Sequence, residues 1–210
     1  MAGRQPQRGV VTGEILRFKV QLRDIRPAIW RRIEVAAGHT FWDLHVAIQD
    51  AMGWLDSHLH AFYIKARLTQ GEVAIGIPSP EGFERDPDFL PGWRVRVTDY
   101  LTEAGMRARY EYDFGDDWQH DLTIEAITPR QARTKYPRCV AGAAACPPED
   151  CGGPHGYARL LEALANPADP EHAEMVAWVG GPFDPKAFDP REVRFDNPKK
   201  RWEIAFGEPA

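Results

Sequence analysis

Four side chains that can bind a soft or borderline cation fall within one Pro- and Gly-rich stretch: Cys139, Cys146, Cys151 and His155. Zinc accepts three thiolates and an imidazole tetrahedrally, and a closed site of that kind would staple a loop that lacks a core of its own. Against this, the spacings of seven, five and four residues contain no Cys-x-x-Cys knuckle. The rival reading makes the cysteines small buried hydrophobes and His155 an ordinary surface residue.

A second set is histidine- and aspartate-rich. His58 and His60 are two apart on a predicted strand, so both would point to one face and could share an ion. Asp113, Asp116, Asp117, His120 and Asp121 crowd a predicted hairpin. If that hairpin adjoins the strand, His58, His60, Asp113 and His120 would line a cleft suited to a metal-bound hydroxide and hydrolysis. The plainer reading is that turn aspartates cap backbone N–H groups and His120 satisfies a cross-strand hydrogen bond.

A third set is cationic. Arg23, Arg26, Arg31 and Arg32, with Trp30 among them, could meet phosphates while the indole stacks on a base. As a solvated sheet face, the same residues would cover apolar surface with their stems and pair with acids. The formal charge of −5 and pI near 5.8 argue against an overall basic footprint, so nucleic acid is not the favoured partner, and a protein partner stays open.

These residues need a frame. Glu14 to Leu22 alternates apolar and polar residues as a half-buried strand does, and Ile29, Ile33 and Val35 continue the period into a paired second strand. Thr40 and Asp43 form a helix start; Phe41, Leu44, Ile48, Ala51 and Met52 make one apolar stripe, and Gly53 ends it. His58 to Ile64 reads as a third strand, which gives a β-β-α-β opening and an α+β fold. Val95 to Leu101 reads as a short strand. Arg107 to Ile127 then reads as a second antiparallel hairpin on the same sheet, with turn symmetry about Asp116 setting Phe114 against Trp118 and Tyr112 against His120. Residues 129–154 read as loop, and Tyr157 to Ala165 and Glu171 to Val179 as two short helices bounded by prolines. One domain over 14–195 is expected, with tails at 1–13 and 196–210.

Hydrophobic residues make up 43% of the chain, enough to bury a core, and no apolar run approaches the roughly 20 residues that span a bilayer. The polar N-terminus lacks the apolar core of a secretory signal, so the expected compartment is the cytoplasm, where lasting disulfides are not expected. Walker, dinucleotide-binding, Gly-x-Ser-x-Gly and His-Glu-x-x-His patterns are absent.

Several ordered words carry a resemblance: Ile25-Arg26-Pro27-Ala28-Ile29-Trp30-Arg31-Arg32, Thr40-Phe41-Trp42-Asp43-Leu44-His45, Met52-Gly53-Trp54, and Tyr110-Glu111-Tyr112-Asp113-Phe114-Gly115-Asp116-Asp117-Trp118. They continue through Tyr136-Pro137-Arg138-Cys139, Ala145-Cys146-Pro147-Pro148-Glu149-Asp150-Cys151-Gly152-Gly153, Trp178-Val179-Gly180-Gly181 and Phe183-Asp184-Pro185. On these the chain resembles the plasmid pRiA4b ORF-three-like family. The resemblance implies a compact α+β fold, a bacterial or archaeal origin and an association with plasmids and transposable elements. It implies no activity and carries over no catalytic residue. The leading expectation is therefore a non-catalytic accessory or interaction domain, zinc-stapled at the cysteine loop, with a His/Asp metal hydrolase and a nucleic-acid-binding accessory protein as alternatives.

Overall fold

The structure, a computed structural model, describes residues 13–65, 71–78 and 89–207. Eight strands form one sheet: β1 (Glu14–Leu22), β2 (Trp30–Ala36), β3 (His60–Lys65), β4 (Glu72–Gly76), β5 (Phe89–Pro91), β6 (Arg107–Tyr112), β7 (Trp118–Pro129) and β8 (Arg138–Ala143). Their spatial order is β5-β4-β3-β6-β7-β1-β2-β8, and every pairing is antiparallel except β4 with β5. The helices are α1 (Phe41–Met52), α2 (Gly153–Ala165), α3 (His172–Trp178) and α4 (Pro198–Phe206). The fold is α+β, as the alternation pattern requires. Among the described residues no helix is long and apolar enough to cross a membrane.

The opening forms for the stated reasons. Leu16, Phe18, Val20 and Leu22 are buried on one face of β1, opposite Ile33 and Val35 of β2. Thr40 caps α1 in a full capping box with Asp43, and Gly53 closes it at φ 92°. The β6–β7 hairpin does not sit at an edge: it inserts between β3 and β1, at the centre of the sheet. Two buried rows result on the face covered by α1. One runs Phe62, Tyr110, His120, Leu22; the other runs His60, Tyr112, Trp118.

Five expectations are corrected. The hairpin pairs Tyr112 with Trp118 and Tyr110 with His120, two residues off the symmetric register, because Asp113 and Asp117 at φ 55° and 54° close the turn. Strand β3 starts at His60, so His58 lies in the preceding loop. Val95 to Leu101 holds a 3-10 turn at Val97–Asp99 in place of a strand. The supposed loop over 129–154 contains β8, an edge strand paired to β2. Finally, the expected C-terminal tail contains a packed helix: Asn197 caps α4, Pro198 opens it, Gly207 ends it at φ 77°, and Trp202 packs at 5.1 Å on Trp42 and 4.6 Å on Trp93. Residues 1–12, which the sequence places in a tail, lie outside the described residues.

Candidate metal centre

Helix α1 lays His45 and Gln49 over Tyr110, and a hydrogen-bonded chain follows. The carboxylate of Asp56 accepts from His45 Nε2 at 2.6 Å. That fixes the tautomer, leaving His45 Nδ1 to accept the Tyr110 hydroxyl at 2.8 Å, while Gln49 Nε2 donates to the same oxygen at 2.9 Å. Burial drives the Tyr110 pKa far above its ordinary value, so the phenol keeps its proton and its donor role. His60 stacks on His45 with ring centroids 3.4 Å apart and planes 8° apart, and neither of its nitrogens has a partner among the described residues. Burial, and next the neighbouring His45, hold its pKa well below the usual imidazole range.

His45, Asp56 and His60 bring a ligand atom each within 4.8 Å of the others. The rings nevertheless exclude a shared ion as they stand. Zinc bonds imidazole nitrogens at about 2.0–2.1 Å in the ring plane, and two rings stacked face to face, with centroids 3.4 Å apart and planes 8° apart, do not aim their nitrogens at a common in-plane point. This inner group is a hydrogen-bonded chain, with His60 packed on it.

An outer group lies at the open end of the same rows. His58 Nε2 is 3.0 Å from Asp150 Oδ1 and 3.5 Å from Asp113 Oδ2, and it hydrogen-bonds to neither. A tetrahedral ion with bonds of about 2.1 Å sets its ligand atoms roughly 3.4 Å apart, and an octahedral one roughly 3.0 Å. Both separations fall in the range of such edges; 3.0 Å is also a hydrogen-bond distance, but His58 Nε2 makes no hydrogen bond to either carboxylate. Asp150 is 70% exposed along its side chain, so the group opens to solvent. One nitrogen and two oxygens suit zinc, manganese or ferrous iron and leave positions for water.

The chain folds so as to hold these three residues. Asp113 Oδ1 accepts from the N–H groups of Gly115 and Asp116, which leaves Oδ2 facing His58. The loop before His58 is tied at four consecutive residues: Trp54 Nε1 donates to the Pro147 carbonyl at 2.9 Å, Leu55 N–H to Glu149 at 2.9 Å, Asp56 accepts from His45, and Ser57 N–H donates to the Tyr112 hydroxyl at 3.0 Å. Tyr112 in turn donates a short hydrogen bond to Glu149, the residue before Asp150. Burial, then the Glu149 carboxylate, push the Tyr112 pKa strongly upward, so this bond keeps its proton on the phenol.

The other predicted residues do not join this centre. His120, in the core, donates from Nδ1 to the Tyr110 and Trp118 carbonyls; Tyr110 stands between it and His60. Burial lowers its pKa to about 4. The four-residue zinc set is not gathered: Cys139, Cys146, Cys151 and His155 form no group within ligand reach among the described residues. The three cysteines pack against the apolar core, and His155 is exposed on α2. Burial pushes all three thiols up, Cys151 to about 12, so they stand as thiols.

The cationic patch is also dispersed. Arg23 pairs with Asp121 and Arg32 with Glu125, while Arg26 is exposed. Arg31 faces inward: its Nε donates to the Ala51 carbonyl at 2.8 Å, Nη1 to the Ala143 carbonyl at 3.0 Å, and the Phe188 ring covers it at 3.7 Å. Strand alternation explains this, since Arg31 lies between Trp30 and Arg32 on the opposite face.

With the geometry in place, the comparisons decide the family. The profile of the plasmid pRiA4b ORF-3-like proteins matches residues 14–192. The chain belongs to that family. It is 36% identical over 171 residues to the uncharacterized protein y4hQ of Sinorhizobium fredii, covering 81% of this chain and 83% of that one. It also resembles a crystal structure, the protein of unknown function MM3350 from Methanosarcina mazei Go1, at 39% identity and TM-score 0.79, covering 88% of this chain and 100% of that chain. Sequence reasoning missed Asp150, Asp56, His45 and Gln49 of this family member. His45 and Gln49 carried a signal, being two polar residues one turn apart along the edge of the apolar stripe of α1.

Proposed function

We propose that this protein binds a divalent transition-metal ion through His58, Asp113 and Asp150 and uses it in hydrolysis. The observation that carries the reading is the pair of 3.0 and 3.5 Å separations about a His58 Nε2 that bonds to neither carboxylate. Two carboxylates held within 4.8 Å of one another also repel, and a cation between them removes that cost. An ion with three protein ligands and an open side lowers the pKa of bound water toward neutrality, which supplies a nucleophile.

The test uses untagged protein stripped with chelator, titrated with Zn²⁺ and Mn²⁺ in a calorimeter. One equivalent should bind. His58→Ala and Asp113→Asn should each weaken binding at least tenfold, while His155→Ala and Cys139→Ala leave it unchanged. A stoichiometry near zero, or binding indifferent to His58→Ala, overturns the centre. Turnover of bis(p-nitrophenyl) phosphate or p-nitrophenyl acetate, lost on chelation and in His58→Ala, supports the hydrolase. Binding without turnover removes the hydrolase and leaves a second reading, an interaction domain, which an apolar groove between α2 and α3 favours.

A further inference from the structure

The groove between α2 and α3 has a volume of about 380 Å³, and its floor is apolar: Leu160, Met175 and Trp178. Trp178 is 45% exposed, and α3 buries no residue completely, so this helix presents an uncovered apolar face. Half-exposed indoles over a concave apolar floor are the usual anchor points of protein contacts. Asp150, Glu171 and Glu174 rim the groove, with Arg159 the sole cation in its lining. That guanidinium is held by Asp169 at 2.8 Å and Glu171 at 2.7 Å, so Arg159 and Glu171 offset one another and Asp150 and Glu174 carry the acidity of the rim. The groove therefore asks for an apolar knob flanked by cations.

Such a knob exists on the chain itself. On α4, Ile204 is 86% exposed and the exposed Lys200 lies one turn before it, while Phe206 packs on the other side, 4.4 Å from the Trp202 ring. Lys200 and Ile204 stand at i and i+4, on one face of the helix. The opposite side of α4, at Trp202, packs on Trp42 and Trp93, which leaves the Lys200–Ile204 face free to enter a partner.

We propose that two copies of this chain associate head to tail, the Lys200–Ile204 face of α4 of one copy seating in the acidic-rimmed Trp178 groove of the next. The contact is heterologous, so each copy keeps one groove and one knob for further copies. Nine helical residues are few beside the 20–30 per side of stable interfaces, so the association is concentration-dependent. It stands independently of the metal centre, although Asp150 borders both.

The experiment is sedimentation equilibrium of the full chain in chelator, from about 5 to 500 µM, at low and high salt. The weight-average mass should rise with concentration and fall back with salt. Ile204→Asp and Trp178→Ala should each keep the chain at monomer mass. Glu174→Lys should do so too, and Glu174→Lys with Lys200→Glu should restore association. A monomer throughout overturns the proposal, as does association that survives both Ile204→Asp and Trp178→Ala. Both positions are exposed, and unchanged melting temperatures establish that the variants fold.

Discussion

Replacing His120 with Asn should flatten the acid limb of this protein's stability curve. Burial holds the His120 pKa near 4 against the ordinary 6.5, and the Tyr110 and Trp118 carbonyls at Nδ1 only partly oppose that. The folded state thus keeps a neutral ring where the unfolded state, below about pH 6.5, takes up a proton. More protons bound when unfolded means that stability rises with pH across this window. The contribution is fully present above about pH 6.5 and is lost as the pH falls toward 4. The gap from 6.5 to about 4, at 1.36 kcal/mol per pH unit, amounts to about 3 kcal/mol. Urea unfolding followed by circular dichroism between pH 4 and 8 measures it. The wild type should lose about 3 kcal/mol more than His120→Asn over that range. Loss of the ring against Trp54, 5.4 Å away, costs both ends of the range alike and cancels in the difference. His60, depressed in the same direction, titrates in both proteins and cancels as well. Parallel curves for the two proteins would refute the reasoning, because they would show that His120 is not held neutral by burial.

Two further outcomes follow from particular contacts. A Cβ on Gly156 would stand 1.8 Å from the Cys151 carbonyl oxygen, so Gly156→Ala must move the backbone beside Asp150; it should cost about 2 kcal/mol in urea unfolding and weaken Zn²⁺ binding in the same protein. Cys151, with its thiol pushed to about 12, and the still more strongly raised Cys146 should react slowly with a disulfide reagent at pH 7, and three thiols should appear promptly on unfolding; fast titration of the native protein would show that these sulfurs are neither buried nor protonated.

The parts of the fold that depend on local period were legible. Alternation marks β1, β2, β6 and β7, and a capping box with a left-handed Gly53 marks α1, because each signal lies within one element. The insertion of β6–β7 at the centre of the sheet was not legible, since strand order depends on which edges meet over long range. That insertion is what separates His60 from His120 and carries His58 toward Asp113. The β6–β7 register failed for a local reason: two aspartates in the left-handed region close the turn, and Asp tolerates that conformation without announcing it. Helix α4 was readable from Asn197, Pro198 and Gly207, but the charged run Lys199-Lys200-Arg201 hides a stripe only one Trp wide. The cysteine spacing suggested a metal because it counts positions along the chain. It does not register that β8 pairs Cys139 with Ile33, fixing it in the sheet while Cys146 and Cys151 lie beyond the strand.

The buried polar chain and the three proposed ligands are parts of one arrangement. His45 is bonded to Asp56 and Tyr112 to Ser57, so the core fixes the two residues immediately before His58. Tyr112 and Leu55 both bond to Glu149, which fixes the residue before Asp150. Asp113 follows Tyr112 directly, and its N–H donates to the Leu59 carbonyl at 2.9 Å. Each of the three proposed ligands is therefore bracketed by a residue already bonded to the core or to the adjoining strand end. Ordering a free loop around an ion would cost roughly 1–2 kcal/mol per residue, and here that cost falls on folding of the sheet. The same bracketing explains why the polar core tolerates Gln49, His45 and Tyr110 where aliphatic side chains would pack more simply: their hydrogen bonds set the position of loop 54–58, which aliphatic contacts alone would leave free to slide.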